Sequence, residues 1–136
     1  MLAVRDRLPD EAPRWTAAER ELARQVLQGR TVVVNVRRGG PHRRLVPWLI
    51  DQGLIIYVGH AGARHSWPAS DFANPFLRLA RTDREAMVLR YRGWLDNQPE
   101  LLAKIRDGEL TGRALGCWCA PQICHADVLA EYAEHE

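Results

Sequence analysis

The chain has 136 residues, 46% hydrophobic and 26% charged, with a formal net charge of +2. That length fits one domain with a real core, and the balance of residues excludes disordered and fibrous classes. The near-neutral charge gives no reason to expect a polyanionic partner, and no apolar run approaches the about eighteen residues that span a bilayer.

The opening stretch, MLAVRDRLPDEAPRW, carries acids and prolines where a secretory signal needs an apolar core, so a cytoplasmic location is expected. Lys104 is the only lysine among 19 basic residues. Arginine-biased codon usage accounts for that; so does a need for planar guanidinium groups on phosphate or carboxylate. Three cysteines cannot all pair internally, and Cys117 and Cys119 are too close on a strand to pair with each other comfortably. Free thiols in a reducing compartment are the simpler expectation.

In chain order, residues 1–15 read as a loosely attached arm and residues 16–136 as a single domain. Thr16-Ala17-Ala18-Glu19 is a capping box preceded by Trp15, and Ala18, Leu22, Val26 and Leu27 recur at helical spacing up to Gly29. Thr31 to Val36 (TVVVNV) is β-branched and reads as a central strand buried on both faces. The turn Arg37-Arg38-Gly39-Gly40-Pro41-His42-Arg43-Arg44 follows, then a short helix from Leu45 to Gly53 with Pro47 in its first turn.

Leu54 to Val58 (LIIYV) predicts a second buried strand, ended by Gly59-His60. Residues 59–82 show little periodicity and read as one long loop, which in a compact domain is usually functional. Thr82 to Glu85 predicts a capping box for a helix carrying Met87, Val88, Tyr91, Trp94 and Leu95. A further helix opens at Pro99 and stops at Gly108. The strand Ala114–Cys119 and a terminal helix with Ile123, Val128, Leu129 and Tyr132 inward complete the chain. Strands alternating with helices predict an α/β fold: a mostly parallel, Rossmann-like sheet of three or more strands flanked by helices.

In such sheets ligands lie beyond the carboxyl ends of the strands. Those ends deliver Asn35 and the arginine-glycine turn, Gly59-His60 and the long loop, and Cys119 to His125. All three cysteines and one of five histidines fall between Cys117 and His125. Cys117 and Cys119 share a strand face, while Cys124 falls at a helix start, where the dipole and unpaired N–H groups can acidify a thiol. His125 beside it can serve as acid, base or phosphate ligand. Buried thiols filling a strand–helix corner are the structural alternative. Cys117, Cys119, Cys124 and His125 are also four possible zinc ligands, but adjacent Cys124 and His125 seldom share one ion, so no metal or other cofactor is expected.

Arg37, Arg38, Gly39 and Gly40, with Arg43 and Arg44, can cradle a phosphate through charge and backbone amides; an exposed basic turn is the alternative. In the long loop, Trp67 and Phe72 can stack on a base, and Asp71 is the only carboxylate available as general acid or base. His60 and His65 read as loop histidines. Asn74-Pro75-Phe76 reads as a rigid turn that plants Phe76 in the core and leaves the Asn74 amide free to bind.

The strand end Val34-Asn35-Val36-Arg37, Tyr57-Val58-Gly59 followed by Asn74-Pro75-Phe76, and Gly116-Cys117-Trp118-Cys119-Ala120-Pro121-Gln122-Ile123-Cys124-His125 together resemble the family called domain of unknown function 4326. The resemblance covers about residues 31–133. It implies a small α/β domain with a shared site and no particular reaction. His60, where arginine often follows the glycine, and the Pro68–Ala73 stretch depart from the family pattern in the loop, which puts ligand preference in question.

The resulting expectation is a protein that binds a phosphorylated or nucleotide-like small molecule and is able to cleave or transfer part of it, as a small hydrolase or transferase. Asn35, Arg37, Gly39, Gly40, Gly59, His60, Trp67, Phe72 and Asn74 would bind, and Cys119, Cys124, His125 and Asp71 would carry chemistry. The rival is a non-catalytic ligand-sensing or protein-interaction domain with structural cysteines. Neither membrane nor nucleic acid is an expected partner.

Overall fold

The computed structural model describes residues 8–60 and 67–135. Helix α1 (Ala17–Leu27) begins at the expected capping box: Glu19 donates its backbone N–H to the Thr16 hydroxyl, and Thr16 N–H donates to the Glu19 carboxylate. The same carboxylate is buried and also accepts the backbone N–H groups of Arg44 and Leu45, both at 2.9 Å. Burial opposes its charge, but those hydrogen bonds outweigh burial and hold Glu19 below the usual carboxylate range. One carboxylate therefore caps two helix starts, its own and that of α2 (Leu45–Asp51).

Strands β1 (Val32–Asn35), β2 (Ile55–Tyr57) and β3 (Ala114–Cys117) form a three-stranded, all-parallel sheet in the order β1-β3-β2. The register pairs Val32 with Ala114 and Asn35 with Cys117 on one side, and Tyr57 with Gly116 on the other. One face carries α1 and α2, whose Ala23, Val26, Leu45 and Leu49 pack with Val32, Val34 and Ala114. The opposite face carries α4 (Arg84–Asp96), α5 (Pro99–Arg106) and α6 (His125–Glu134), whose Tyr91, Leu95, Ile105 and Leu129 pack with Leu115 and Cys117. The fold is thus a small α/β domain, and none of its described helices is long and apolar enough to cross a membrane.

Several expectations need correction. β1 is an edge strand and β3 is central. The valine run records that both faces of β1 are covered by helices, which says nothing about its neighbours in the sheet. Two of the outward N–H groups along this edge are met by side chains instead of a strand: Thr31 N–H donates to Glu134 at 3.1 Å and Asn35 N–H to His42 Nδ1 at 2.8 Å.

The loop expected to run to residue 82 contains α3 (Leu77–Thr82), too short for periodicity to reveal. Thr82 ends that helix, and Asp83 caps α4 by accepting Ala86 N–H at 3.0 Å. Ile123 is 45% exposed, because α6 starts only at His125. Of the amino-terminal segment, residues 8–15 are described: Ala12 and Trp15 are buried, and Trp15 meets Trp48 at 5.6 Å between ring centroids.

Gly116 occupies the middle of the sheet because nothing larger fits. A Cβ there would lie 2.7 Å from Val36 Cγ1 and 3.7 Å from the Tyr57 Cα. Val36 is itself buried and stiff at χ1, so it cannot move aside cheaply. Gly116→Ala should therefore cost about 1–3 kcal/mol in urea unfolding. Gly39→Ala, with nothing within 4 Å of its added carbon, should change stability by less than about 0.5 kcal/mol.

Candidate functional site

The carboxyl ends of β1 and β3 meet around the side chain of Asn35. Its Nδ2 donates to Ala120 O at 2.7 Å and, more weakly, to Trp118 O at 3.4 Å, while its Oδ1 accepts Arg37 N–H at 2.9 Å. Asn35 is 5% exposed. It thereby joins the end of β1 to the chain leaving β3 and starts the arginine-glycine turn. His42 returns from that turn to accept Asn35 N–H through Nδ1. Burial holds its pKa below the usual histidine value against the attraction of Glu19. Gly40 N–H closes the turn on Arg37 O at 3.0 Å, and a Cβ at Gly40 would crowd Arg37 O at 3.1 Å and Asn35 Oδ1 at 3.3 Å. The Gly40 amide is thus engaged, whereas Gly39 is exposed.

The end of β2 is organised by Tyr57. Its hydroxyl donates to His60 O and accepts from Trp118 Nε1 at 2.5 Å. The ring stacks on Trp67 at 5.2 Å between centroids and an interplanar angle of 24°, and meets Trp118 edge-on. Gly59 is required here, because a Cβ would lie 2.6 Å from the Tyr57 hydroxyl.

Between these two strand ends and α2 lies a cleft of about 410 Å³ lined by Val36, Arg37, Arg38, Arg43, Val46, Pro47, Ile50 and Trp67. It joins three arginines to one tryptophan and an apolar floor, and among the described residues its lining contains no carboxylate. Among the described residues, the ion pairs of the protein involve Arg24, Arg30, Arg92 and Lys104, none of them in this cleft. Such an arrangement can take an anion beside a flat ring.

The thiols lie on the opposite face of the sheet. Cys124, the N-cap of α6, donates through Sγ to Cys117 Sγ at 3.4 Å, and both are 1% exposed. Cys119 is half-buried. A hydrogen bond with the Cys124 thiol pulls its pKa down against burial, and the Arg84 guanidinium pulls it further, to about 6. Cys124, which donates to Cys117, is pushed up by its interactions with the Cys117 and Cys119 sulfurs, and burial adds to this. The acidity that the helix start suggested for Cys124 therefore resides at Cys119. Among the described residues, no group of three or more histidines, cysteines or carboxylates is arranged to hold a metal ion.

His125 is buried. Its Nε2 donates to Val58 O at 2.7 Å and its ring meets Tyr91 edge-on at 5.1 Å. Burial, against the hydrogen bond to Val58 O and with repulsion from His60, pulls its pKa down to about 4. Its neutral ring thus ties α6 to the end of β2.

The long-loop candidates are dispersed. Trp67 lines the arginine cleft, whereas Phe72 is buried in the core under α4, where its carbonyl accepts the Tyr91 hydroxyl at 2.7 Å. Asp71 is 74% exposed at its side chain and pairs with Lys104 at 2.9 Å. Asn74 is buried with Oδ1 accepting Phe76 N–H at 2.9 Å, and His60 Nε2 lies 2.7 Å from Asn74 O. His60 and Asn74 line a separate hollow with Arg78 and Arg90. His65 lies outside the described residues.

Sequence reasoning missed Tyr57, Trp118 and His42 as organisers of the site, and Arg84 as the charge beside Cys119. Arg84 also donates to Ile123 O at 3.1 Å, a contact across 39 positions that no local pattern announces.

The model of one family, Domain of unknown function (DUF4326), matches residues 21–135. Comparisons with curated proteins and with solved structures returned no match.

Two measurements test this geometry. Asn35→Ala leaves Ala120 O and Arg37 N–H without their partner and should destabilise the fold by about 2–4 kcal/mol in urea unfolding. His125 has a folded pKa below its unfolded value of 6.5, so the unfolded chain takes up the proton first. Its contribution to stability should be complete above about pH 6.5 and fall, by on the order of 3 kcal/mol, as pH drops towards about 4. His125→Gln, which keeps a donor and cannot titrate, should flatten that limb of the stability–pH curve.

Proposed function

From the premise that the chain belongs to the family of domain of unknown function 4326, we propose that it binds a phosphorylated, nucleotide-like small molecule. The cleft formed by Arg37, Arg38, Arg43 and Trp67 is the single observation that carries this reading. Three arginines line the same cleft as an indole already held in a stack by Tyr57. A phosphate would meet the arginines and a base would extend the aromatic stack, with the side chains of Val46, Pro47 and Ile50 against its apolar surface.

Parallel strands alternating with helices, and a cleft beyond the end of β1, support reading the fold as Rossmann-like. The small net charge supports a small anionic ligand in preference to nucleic acid.

Ligand binding without turnover is the simpler form of the proposal, because among the described residues no thiol, hydroxyl or carboxylate lines the cleft, and Cys117 and Cys124 are buried. Hydrolysis or transfer is a separate reading, supported only by the acidic Cys119, and incubation with nucleotides followed by chromatography for products decides it.

Isothermal titration at low salt with ADP, ribose 5-phosphate and pyrophosphate tests the binding. ADP should bind tightest, and Arg37→Gln or Arg43→Gln should each weaken all three ligands by about 5- to 20-fold. Trp67→Leu should weaken ADP by about 5-fold while leaving pyrophosphate unchanged. No heat and no thermal shift with any of the three would remove the reading.

A further inference from the structure

Ligand binding in the arginine cleft leaves the three thiols on the other face of the sheet unused. Cys124 Sγ is 3.4 Å from Cys117 Sγ, and Cys119 lies close enough to interact with the same thiol. Cys117 and Cys124 are sealed at 1% exposure, whereas Cys119 is reachable from solvent. The Arg84 guanidinium, held by Ile123 O at 3.1 Å, lies against Cys119. A cation beside the one accessible sulfur favours its thiolate, and a second sulfur close behind it is the arrangement in which an oxidised thiol is resolved.

We propose that this corner is an oxidative modification site: Cys119 is oxidised by a hydroperoxide, and Cys124 resolves it to a Cys119–Cys124 disulfide. In the first step the Cys119 sulfur attacks the terminal peroxide oxygen. The O–O bond breaks, an S–O bond forms, and the departing oxygen takes a proton to leave as water or alcohol. Sulfur is oxidised to the sulfenic acid and the peroxide is reduced. In the second step the Cys124 sulfur attacks the Cys119 sulfur. The S–O bond breaks, the S–S bond forms, and the hydroxide leaves as water with the proton that Cys124 gave up. Cys117 accepts the Cys124 hydrogen bond in the starting state, which orients that thiol. Cys117 itself is no partner for Cys119, since two residues apart along the chain is too close for relaxed disulfide geometry.

The test is oxidation of the intact chain with one equivalent of hydrogen peroxide at neutral pH. Every cysteine lies beyond the last trypsin site, Arg113, so the fragment 114–136 carries all three and its fragmentation spectrum locates the bond. The expected product has lost two hydrogens and links Cys119 to Cys124, and it forms at least roughly tenfold faster than in the urea-unfolded chain. Dimedone added during the reaction should trap sulfenic acid at Cys119, and Cys124→Ser should make that adduct accumulate. Cys117→Ser should still give the Cys119–Cys124 bond. Should Cys124→Ser fail to fold, dimedone trapping on the natural chain reads the first step by itself. A Cys117–Cys124 bond, an adduct at another cysteine, a folded chain no faster than the unfolded one, or a tightly bound metal that must be stripped before the thiols react would each overturn the proposal. None of these readouts depends on ligand binding in the arginine cleft.

Discussion

The carboxamide of Asn35 is the interaction on which the functional end of this molecule depends. One buried side chain satisfies the carbonyl of Ala120 and the amide of Arg37, groups from segments more than eighty positions apart. An isolated peptide group in that environment would cost a few kcal/mol, and a carboxamide is the neutral group that offers both a donor and an acceptor on one short stem. Aspartate would bring only acceptors, and serine would not reach both partners. With Asn35 in place, the turn that carries Arg37, Arg38 and Arg43 departs in a fixed direction, and so does the chain between Trp118 and Cys124.

Around that anchor the sheet separates two environments. On the α1–α2 face, guanidinium groups and Trp67 line an open cleft. On the α4–α6 face, the thiols and His125 are packed among Tyr91, Met87 and Leu129. The separation follows from alternation along strands: Val34 and Gly116 point one way, Leu115 and Cys117 the other. The two sides are joined by the Asn35 hydrogen bonds and by the Trp118–Tyr57 hydrogen bond, whose tyrosine supports Trp67.

Edge protection accounts for several polar residues that otherwise look isolated. Among the described residues β1 has no strand on its outer side, and Glu134 and His42 occupy the outward amides of Thr31 and Asn35 at the two ends of that edge. Glu19 does the equivalent for two helix starts. In each case a buried polar atom is matched, and among the described residues no buried side-chain nitrogen or oxygen lacks a partner.

The sequence by itself determined the order of elements apart from α3, the parallel α/β class, the capping box at Thr16 and the meeting of three strand ends at one edge. These are legible because periodicity, capping and β-branched runs are local properties that chain neighbours express together. Membership of the family was legible for the same reason, from contiguous strings such as Gly116 to His125 that carried the resemblance. Only the tertiary structure decided that β1 lies at the edge, since two covered faces produce a valine run whether or not a strand pairs alongside. It also decided that Phe72 is core while Trp67 lines a cleft, because both are aromatic residues in an aperiodic loop and only packing distinguishes them. Finally, it moved the acidic thiol from Cys124 to Cys119. The charge that acidifies it, Arg84, and the proton that Cys124 retains are properties of neighbours in space, and thiol acidity follows those neighbours more closely than position along the chain.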